Sequence, residues 1–298
     1  MKVFVTGATG FVGSAVVSEL LEAGHEVVGL ARSEAAAESL SAVGAEAHAG
    51  SLEDLASLAA GADGADGVVH LAFTNVSPTT DYTTAALADA AAIRALGGAL
   101  AGTERPLVVT SGSALVSVPG RAATEEDPAS WGPRVVGEEA VHALVRRGVN
   151  ALIVRLASSV HDGQADRRGF VPRLLSIARD KGVSAYVADG SNRWTGIHRL
   201  DAAVLFRLAL EQGKPGATYH GVADEGVPLR QVAEAIGAGL GLPVASVRDD
   251  DAASHFGHLA PFVTLDDWTS SEQTKAWLGW RPEHVGLIAD IEHGGYVP

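Results

Sequence analysis

The 298 residues contain no cysteine. Disulfides, thiol chemistry and zinc–thiolate centres are thereby excluded, and a cytoplasmic location is expected. Basic residues are also scarce. Lys and Arg number 22 against 36 Asp and Glu, giving a net charge of −14. An acidic surface gains nothing from a polyanion, which argues against a nucleic-acid partner; the charge reads as solubility. No apolar run is long enough to span a bilayer, so no membrane association is expected. Met1 leads directly into an apolar strand, and no secretory leader is expected. No metal site is expected either: the acidic stretch Asp249–Asp251 lacks calcium-loop spacing and reads as a solvated loop. Aromatics make up only 5% of the chain, while hydrophobic residues reach 47% and alanine is abundant. That composition can bury a large core of closely packed helices in one or two domains.

What is present is a regular alternation. Apolar runs at 2–6, 26–31, 67–72, 106–111 and 150–157, with a weaker one at 45–50, read as strands. Helical spacing falls between them, at 11–24, 34–44, 52–61, about 81–102 and roughly 135–147. Continuous apolar strands suit a sheet covered on both faces. The alternation predicts an α/β fold, a doubly wound parallel sheet of the Rossmann type with right-handed crossovers. Residues 1–157 are assigned to this dinucleotide-binding core and 158–298 to a smaller, interleaved C-terminal substrate lobe. Segments near 198–223 are expected to return to the core. In the lobe, 158–169 reads as a loop, and helices are expected at 170–182, 198–213, 228–241 and 270–280, with a strand near 218–223.

The first strand runs into "TGATGFVG", residues 6–13, which opens a helix. Gly7 permits a tight turn, Gly10 lets the backbone approach a pyrophosphate, and Gly13 lets helix and strand pack closely. With Thr9, Phe11 and Val12 they make up the expected cofactor cradle. At the end of the second strand an NAD site needs a carboxylate for the ribose hydroxyls. Leu30-Ala31-Arg32-Ser33 offers none. Arg32 can instead pair with a 2′-phosphate and Ser33 can donate to it, so NADP is favoured over NAD.

Several distant segments together resemble the extended and atypical short-chain dehydrogenase/reductases, the NAD-dependent epimerase/dehydratase group. They are "TGATGFVG", "DGVVHLA" (66–72), "VVTSGSALV" (108–116), "IVRLASSVHDG" (153–163), "IHRLDAA" (197–203) and "AWLGWRP" (276–282). The resemblance covers nearly the whole chain. It implies that Leu71 and Ala72 line the cofactor groove. Ser113 matches the serine that hydrogen-bonds a substrate oxygen, with Ser111 as second candidate. Ser158, Val160 and His161 are implied near nicotinamide or substrate. Trp194 and His198 match the substrate-site edge, although a core tryptophan and a satisfied histidine are the alternatives for each taken singly. Asp201 reads as a helix cap. The resemblance further implies a homodimer packed through the helices near 81–101 and 134–147.

The pattern departs from the family where a Tyr-x-x-x-Lys pair is expected. Counting back from the strand at 150–157 places Arg134 at the tyrosine position and Glu138 at the lysine position. A shifted register gives Trp131 and Val135, and supplies no proton donor either. An Arg-x-x-Ser-Glu subgroup is similar here, but this chain has Gly137 where the serine stands. Arginine cannot donate a proton near neutral pH, yet it stabilises an oxyanion or binds a carboxylate. Glu138 can accept from ribose hydroxyls. Alternatively the two form a surface pair at i and i+4 worth about 0.2–0.5 kcal/mol. The catalytic assignment is therefore Ser113, Arg134 and Glu138, with the proton coming from water, His161 or Tyr82.

The resulting expectation is an NADP-dependent oxidoreductase that reduces a small carbonyl compound. The alternatives are a non-catalytic dinucleotide-binding sensor and a redox-neutral isomerase or lyase. A nucleotide-sugar epimerase fits less well, because that chemistry uses the missing tyrosine. Restoring Tyr at 134 and Lys at 138 is the substitution suggested by the family pattern.

Overall fold

The computed structural model describes residues 1–74 and 81–297. In the first half, apolar strands alternate with helices as the sequence pattern dictates. The order is β1 (Lys2–Thr6), α1 (Phe11–Glu22), β2 (Glu26–Ala31), α2 (Glu34–Ala42), β3 (Glu46–Ala49), α3 (Leu55–Asp63), β4 (Gly67–His70), α4 (Tyr82–Ala99), β5 (Leu107–Gly112), α5 (Val135–Val145) and β6 (Ala151–Leu156). Ser33, Asp54 and Asp81 cap α2, α3 and α4 through side-chain oxygens, which fixes where those helices begin. Then follow β7 (Ser159–His161), α6 (Phe170–Lys181), β8 (Ser184–Val187), β9 (Arg193–His198), α7 (Arg199–Gln212), β10 (Thr218–Gly221), β11 (Asp224–Pro228), α8 (Leu229–Leu240) and β12 (Val244–Val247). The chain ends with the short helices α9 (Ala252–Phe256), α10 (Ala260–Val263), α11 (Glu272–Leu278) and α12 (Leu287–His293).

Seven parallel strands form the main sheet in the order β10-β6-β5-β4-β1-β2-β3. Strand order reverses between β1 and β4, so the ligand crevice of this architecture opens there, beyond the C-terminal strand ends. One face is covered by α1 and α7, whose Val16, Leu20 and Phe206 share a core with Trp280. The other is covered by α3, α4 and α5 through Leu58, Ile93, Leu96 and Leu144. Here α4 and α5 approach so closely that a Cβ on Gly97 would lie 2.3 Å from Leu144 Cδ1. Alanine and glycine on the helix faces permit that spacing. The segment 199–221 lies with this core: α7 packs on α1, and β10 extends the sheet beside β6.

The lobe holds two small sheets, β11-β9-β7 and β12-β8, over a separate core that includes Trp194, Leu229, Phe256 and Tyr296. The segment 158–169, expected to be loop throughout, contains β7. Strand β9 is buried along most of its length. A Cβ on its Gly196 would fall 3.1 Å from Leu287 Cβ, so glycine lets α12 press against the strand. Asp201 is not a helix cap, since His198 holds that position for α7. Its buried carboxylate instead accepts the Glu283 and His284 N–H groups, at 2.9 and 3.1 Å, and pins the C-terminal segment to α7. Among the described residues no helix is long and apolar enough to cross a membrane.

Candidate functional site

The glycine turn is built by close approach. Gly7 has φ +69°, and a Cβ there would sit 2.8 Å from Ala72 N, so the turn rests directly on the chain leaving β4. A Cβ on Gly13 would lie 1.9 Å from Gly7 O, which no side chain can tolerate. Helix α1 begins at Phe11 with Gly10 as N-cap and no side-chain capping bond. The first N–H groups of an α-helix lack intrahelical partners and carry the positive end of its dipole. The cradle of Gly7, Thr9, Gly10, Phe11, Val12 and Gly13 therefore fits an anionic pyrophosphate. Beneath it runs a buried relay that the sequence reading did not single out. Thr6 Oγ1 meets His70 Nδ1 at 2.7 Å, and His70 Nε2 meets Asp89 Oδ1 at 3.2 Å. Ala72 N donates to the same Thr6 oxygen at 3.3 Å, which fixes the chain as it leaves β4.

Arg32 leaves the end of β2 exposed. Ser33 Oγ accepts from Ala36 N at 3.3 Å, and its hydroxyl hydrogen can still be donated.

Helix α5 starts at Val135, with Arg134 as its N-cap residue. Arg134 and Glu138 turn to different partners. The Arg134 guanidinium lies 4.3 Å over the Phe73 ring and donates from Nη2 to Thr110 O at 3.1 Å. The Tyr82 ring meets the same Phe73 edge-on, with centroids 5.8 Å apart. Burial pushes the Tyr82 phenol above its ordinary pKa, the Arg134 charge pulls it back, and Asp89 adds to the rise.

Glu138 faces inward and is 3% exposed. Arg155 of β6 grips it with two bonds, Nε to Oε1 at 2.8 Å and Nη2 to Oε2 at 2.7 Å. Ser111 adds a third, to Oε1 at 2.7 Å. Burial alone would raise the Glu138 pKa, but Arg155 and Ser111 hold it below the ordinary value. Arg155 Nη1 also reaches Asp127 O at 2.9 Å and His220 Nε2 at 3.2 Å. His220 Nδ1 meets Ser270 O at 2.8 Å. A carbonyl only accepts, so Nδ1 carries the hydrogen and Nε2 accepts from Arg155. Burial lowers the His220 pKa to about 4, and the neighbouring Arg155 charge reinforces the neutral form. The carboxylate expected to bind ribose is thus the centre of a buried ion pair. Both of its oxygens are engaged by protein donors, and the side chain is enclosed by protein.

Ser113 is fully buried in a second cluster. Its hydroxyl donates to Asp267 Oδ2 at 2.6 Å and lies 3.0 Å from Thr195 Oγ1. Ser158 and Thr195 donate to the same carboxylate oxygen, at 2.5 and 2.7 Å, while Thr269 serves the other at 2.7 Å. Thus four hydroxyls from separate chain segments converge on Asp267. With its hydrogen committed, Ser113 offers neighbouring groups only lone pairs.

His161 is wholly buried; its Nδ1 meets Asp290 Oδ2 at 2.7 Å, and Nε2 has no partner among the described residues. His198 packs edge-on to it and stacks on His284 at 4.7 Å. Burial lowers the His198 pKa; Asp162 opposes that shift while His161 and His284 add to it. Trp194 is 1% exposed, donates to Phe262 O at 3.0 Å and packs on Phe170. It fills the lobe core and presents no ring to a substrate, the core alternative weighed for it. The structure therefore brings the glycine turn against Leu71 and Ala72, with the Arg134 guanidinium over the Phe73 that follows them. It buries Ser113, Glu138, His161 and Trp194 in packed clusters.

The family model of the NAD dependent epimerase/dehydratase family matches residues 3–220. An uncharacterized protein of Schizosaccharomyces pombe is 47% identical over 298 residues, covering 99% of this chain and 100% of its own. A 2-alkyl-3-oxoalkanoate reductase of Stenotrophomonas maltophilia is 30% identical over 82% of this chain and 77% of its own. Among solved structures, the dTDP-glucose 4,6-dehydratase DesIV of Streptomyces venezuelae, with NAD and TYD bound, superposes with a TM-score of 0.78. It is 20% identical and the match covers 99% of this chain and 96% of that one, a likeness of fold.

Proposed function

This chain belongs to the NAD dependent epimerase/dehydratase family, and on that premise we propose that it is an NADP-dependent reductase of a small carbonyl compound. The observation that carries the reading is the glycine cradle, where a Cβ on Gly13 would strike Gly7 O at 1.9 Å. Only glycine fits there, and the resulting turn presents the uncapped start of α1 to a pyrophosphate. Arg32, exposed where an NAD site would place a carboxylate, supports NADP as the bound form. When bound, the reduced nicotinamide supplies hydride. The chain's own residues orient the partners: Leu71 and Ala72 wall the groove, and Arg134 offers a fixed positive charge to a developing oxyanion. The reductase among the relatives supports the same direction of chemistry.

A second reading has its own observation. The Ser113 hydroxyl is committed to Asp267 and Glu138 to Arg155, the arrangement expected of a non-catalytic dinucleotide sensor. One experiment separates the two. NADPH binding is measured by calorimetry, and its oxidation is followed across a panel of ketones, aldehydes and 3-oxo acids. Turnover of any panel member supports the reductase. Tight binding with no turnover refutes it and favours the sensor.

A further inference from the structure

We propose that Tyr82 is the proton donor of this site and that Arg134 is the cation that positions it. This inference rests on the reductase reading. Relative to the Tyr-x-x-x-Lys arrangement the cation now stands at the tyrosine position, at the start of α5, and the phenol comes from a different helix, α4.

Three observations carry it. First, the other tyrosines are committed elsewhere. Tyr186 accepts from Arg230 at 2.9 Å, Tyr219 accepts from Lys214 N at 3.0 Å, and Tyr296 donates to Asp166 at 3.1 Å. His161, the other side-chain candidate, is fully buried and held by Asp290 between β7 and α12. Second, Tyr82 and Arg134 meet on one ring. Phe73 follows Ala72 directly along the groove wall; Tyr82 lies against it at 5.8 Å and the guanidinium covers it at 4.3 Å. Third, Arg134 is anchored to Thr110 O in the C-terminal half of β5, and the Phe73 ring that it shares with Tyr82 follows the end of β4, so both contacts lie on the side of the sheet where this fold reacts its substrates.

The charged groups that act on Tyr82 are Arg134 and Asp89, which oppose each other, while burial raises the phenol's pKa. A raised pKa makes the phenol a weaker acid, but a forming alkoxide is a stronger base than a phenolate, so the transfer still runs downhill. In the balanced step the carbonyl carbon gains hydride and its oxygen takes the Tyr82 proton. The tyrosinate then regains a proton from water, with Arg134 steadying its charge in the interval.

The test uses full-length Tyr82→Phe, Arg134→Met and Arg134→Lys proteins. In the absence of cofactor, the phenolate absorbance of wild type minus that of Tyr82→Phe isolates the Tyr82 titration. Arg134→Met is expected to raise its midpoint by about one pK unit and Arg134→Lys to restore it. With NADPH and a reduced panel member, Tyr82→Phe is expected to lose about 10²- to 10⁴-fold in kcat while binding NADPH as tightly as wild type. A Tyr82 titration indifferent to Arg134, or full turnover by Tyr82→Phe, overturns the proposal and leaves the reductase reading standing. A wild type that reduces nothing overturns both.

Discussion

Consider Glu138→Lys, half of the substitution that would restore the family pair. The family pattern suggests that pair as a route to ordinary carbonyl reduction. The structure predicts that Glu138→Lys prevents folding. Glu138 and Arg155 are 3% and 2% exposed and joined by two charge-assisted bonds of 2.8 and 2.7 Å. Removing one member of such a buried pair costs about 3–5 kcal/mol, because the other is left uncompensated. Placing an ammonium about 4 Å from the guanidinium adds roughly 4 kcal/mol at an effective dielectric near 20. The sum, roughly 7–9 kcal/mol, rivals the whole stability of a typical domain, about 5–15 kcal/mol. The assay is denaturant unfolding of wild type, Glu138→Lys, Arg155→Glu and the double variant. Both single variants should be insoluble or unfolded, and the charge swap should recover about 4 kcal/mol of the loss. If Glu138→Lys lies within about 1 kcal/mol of wild type, the buried pair does not govern this position and the reasoning is wrong.

Two further outcomes follow from the same geometry. His220 is neutral when folded, with its pKa lowered from 6.5 to about 4. Below pH 6.5 the unfolded chain binds the proton and the folded one does not, so stability is lost as pH falls from about 6.5 to about 4. At about 1.4 kcal/mol per pK unit the loss is on the order of 3 kcal/mol; unfolding midpoints across that range, with His220→Asn flattening the slope, check it. Arg32→Ala should weaken NADP about 10- to 100-fold and leave NAD unchanged, as titration calorimetry would read, because a charged hydrogen bond to the 2′-phosphate contributes about 1.5–3 kcal/mol.

The core was legible because a parallel sheet buried on both faces prints itself as short apolar runs, and because the glycine turn has so few conformational options. The lobe was less so. Strand β9 escapes because Gly196 weakens its local signal and its partners β7 and β11 come from separate segments. Trp194 matched a site-edge position by sequence, yet only the packing of Phe170 and Phe262 decides that it is core. Glu138 was placed correctly on α5, but its partner lies on β6. A signal for that existed: Arg155 interrupts the apolar run "ALIVRL", and a buried arginine demands an acid. Nothing local announces that Ser113 meets Asp267, 154 residues away. Likewise the Asp201 carboxylate, read as a cap, takes its donors from residues 283 and 284.

The position of β10 bears on how the chain is made. Strand β6 and its Arg155 stay unpaired on one side until Thr218–Gly221 arrives with His220. The pin on α7 waits longer still, for Glu283 and His284. During synthesis the first 157 residues therefore carry an open, apolar sheet edge and an unsatisfied guanidinium contact through the next 60 or so residues of translation, several seconds at about 5–20 residues per second. The nucleotide-binding half is not a module that folds first and waits for the rest. Its last strand and its last fastening are both encoded in the other half, so a truncated chain ending near Ala157 presents a template for aggregation.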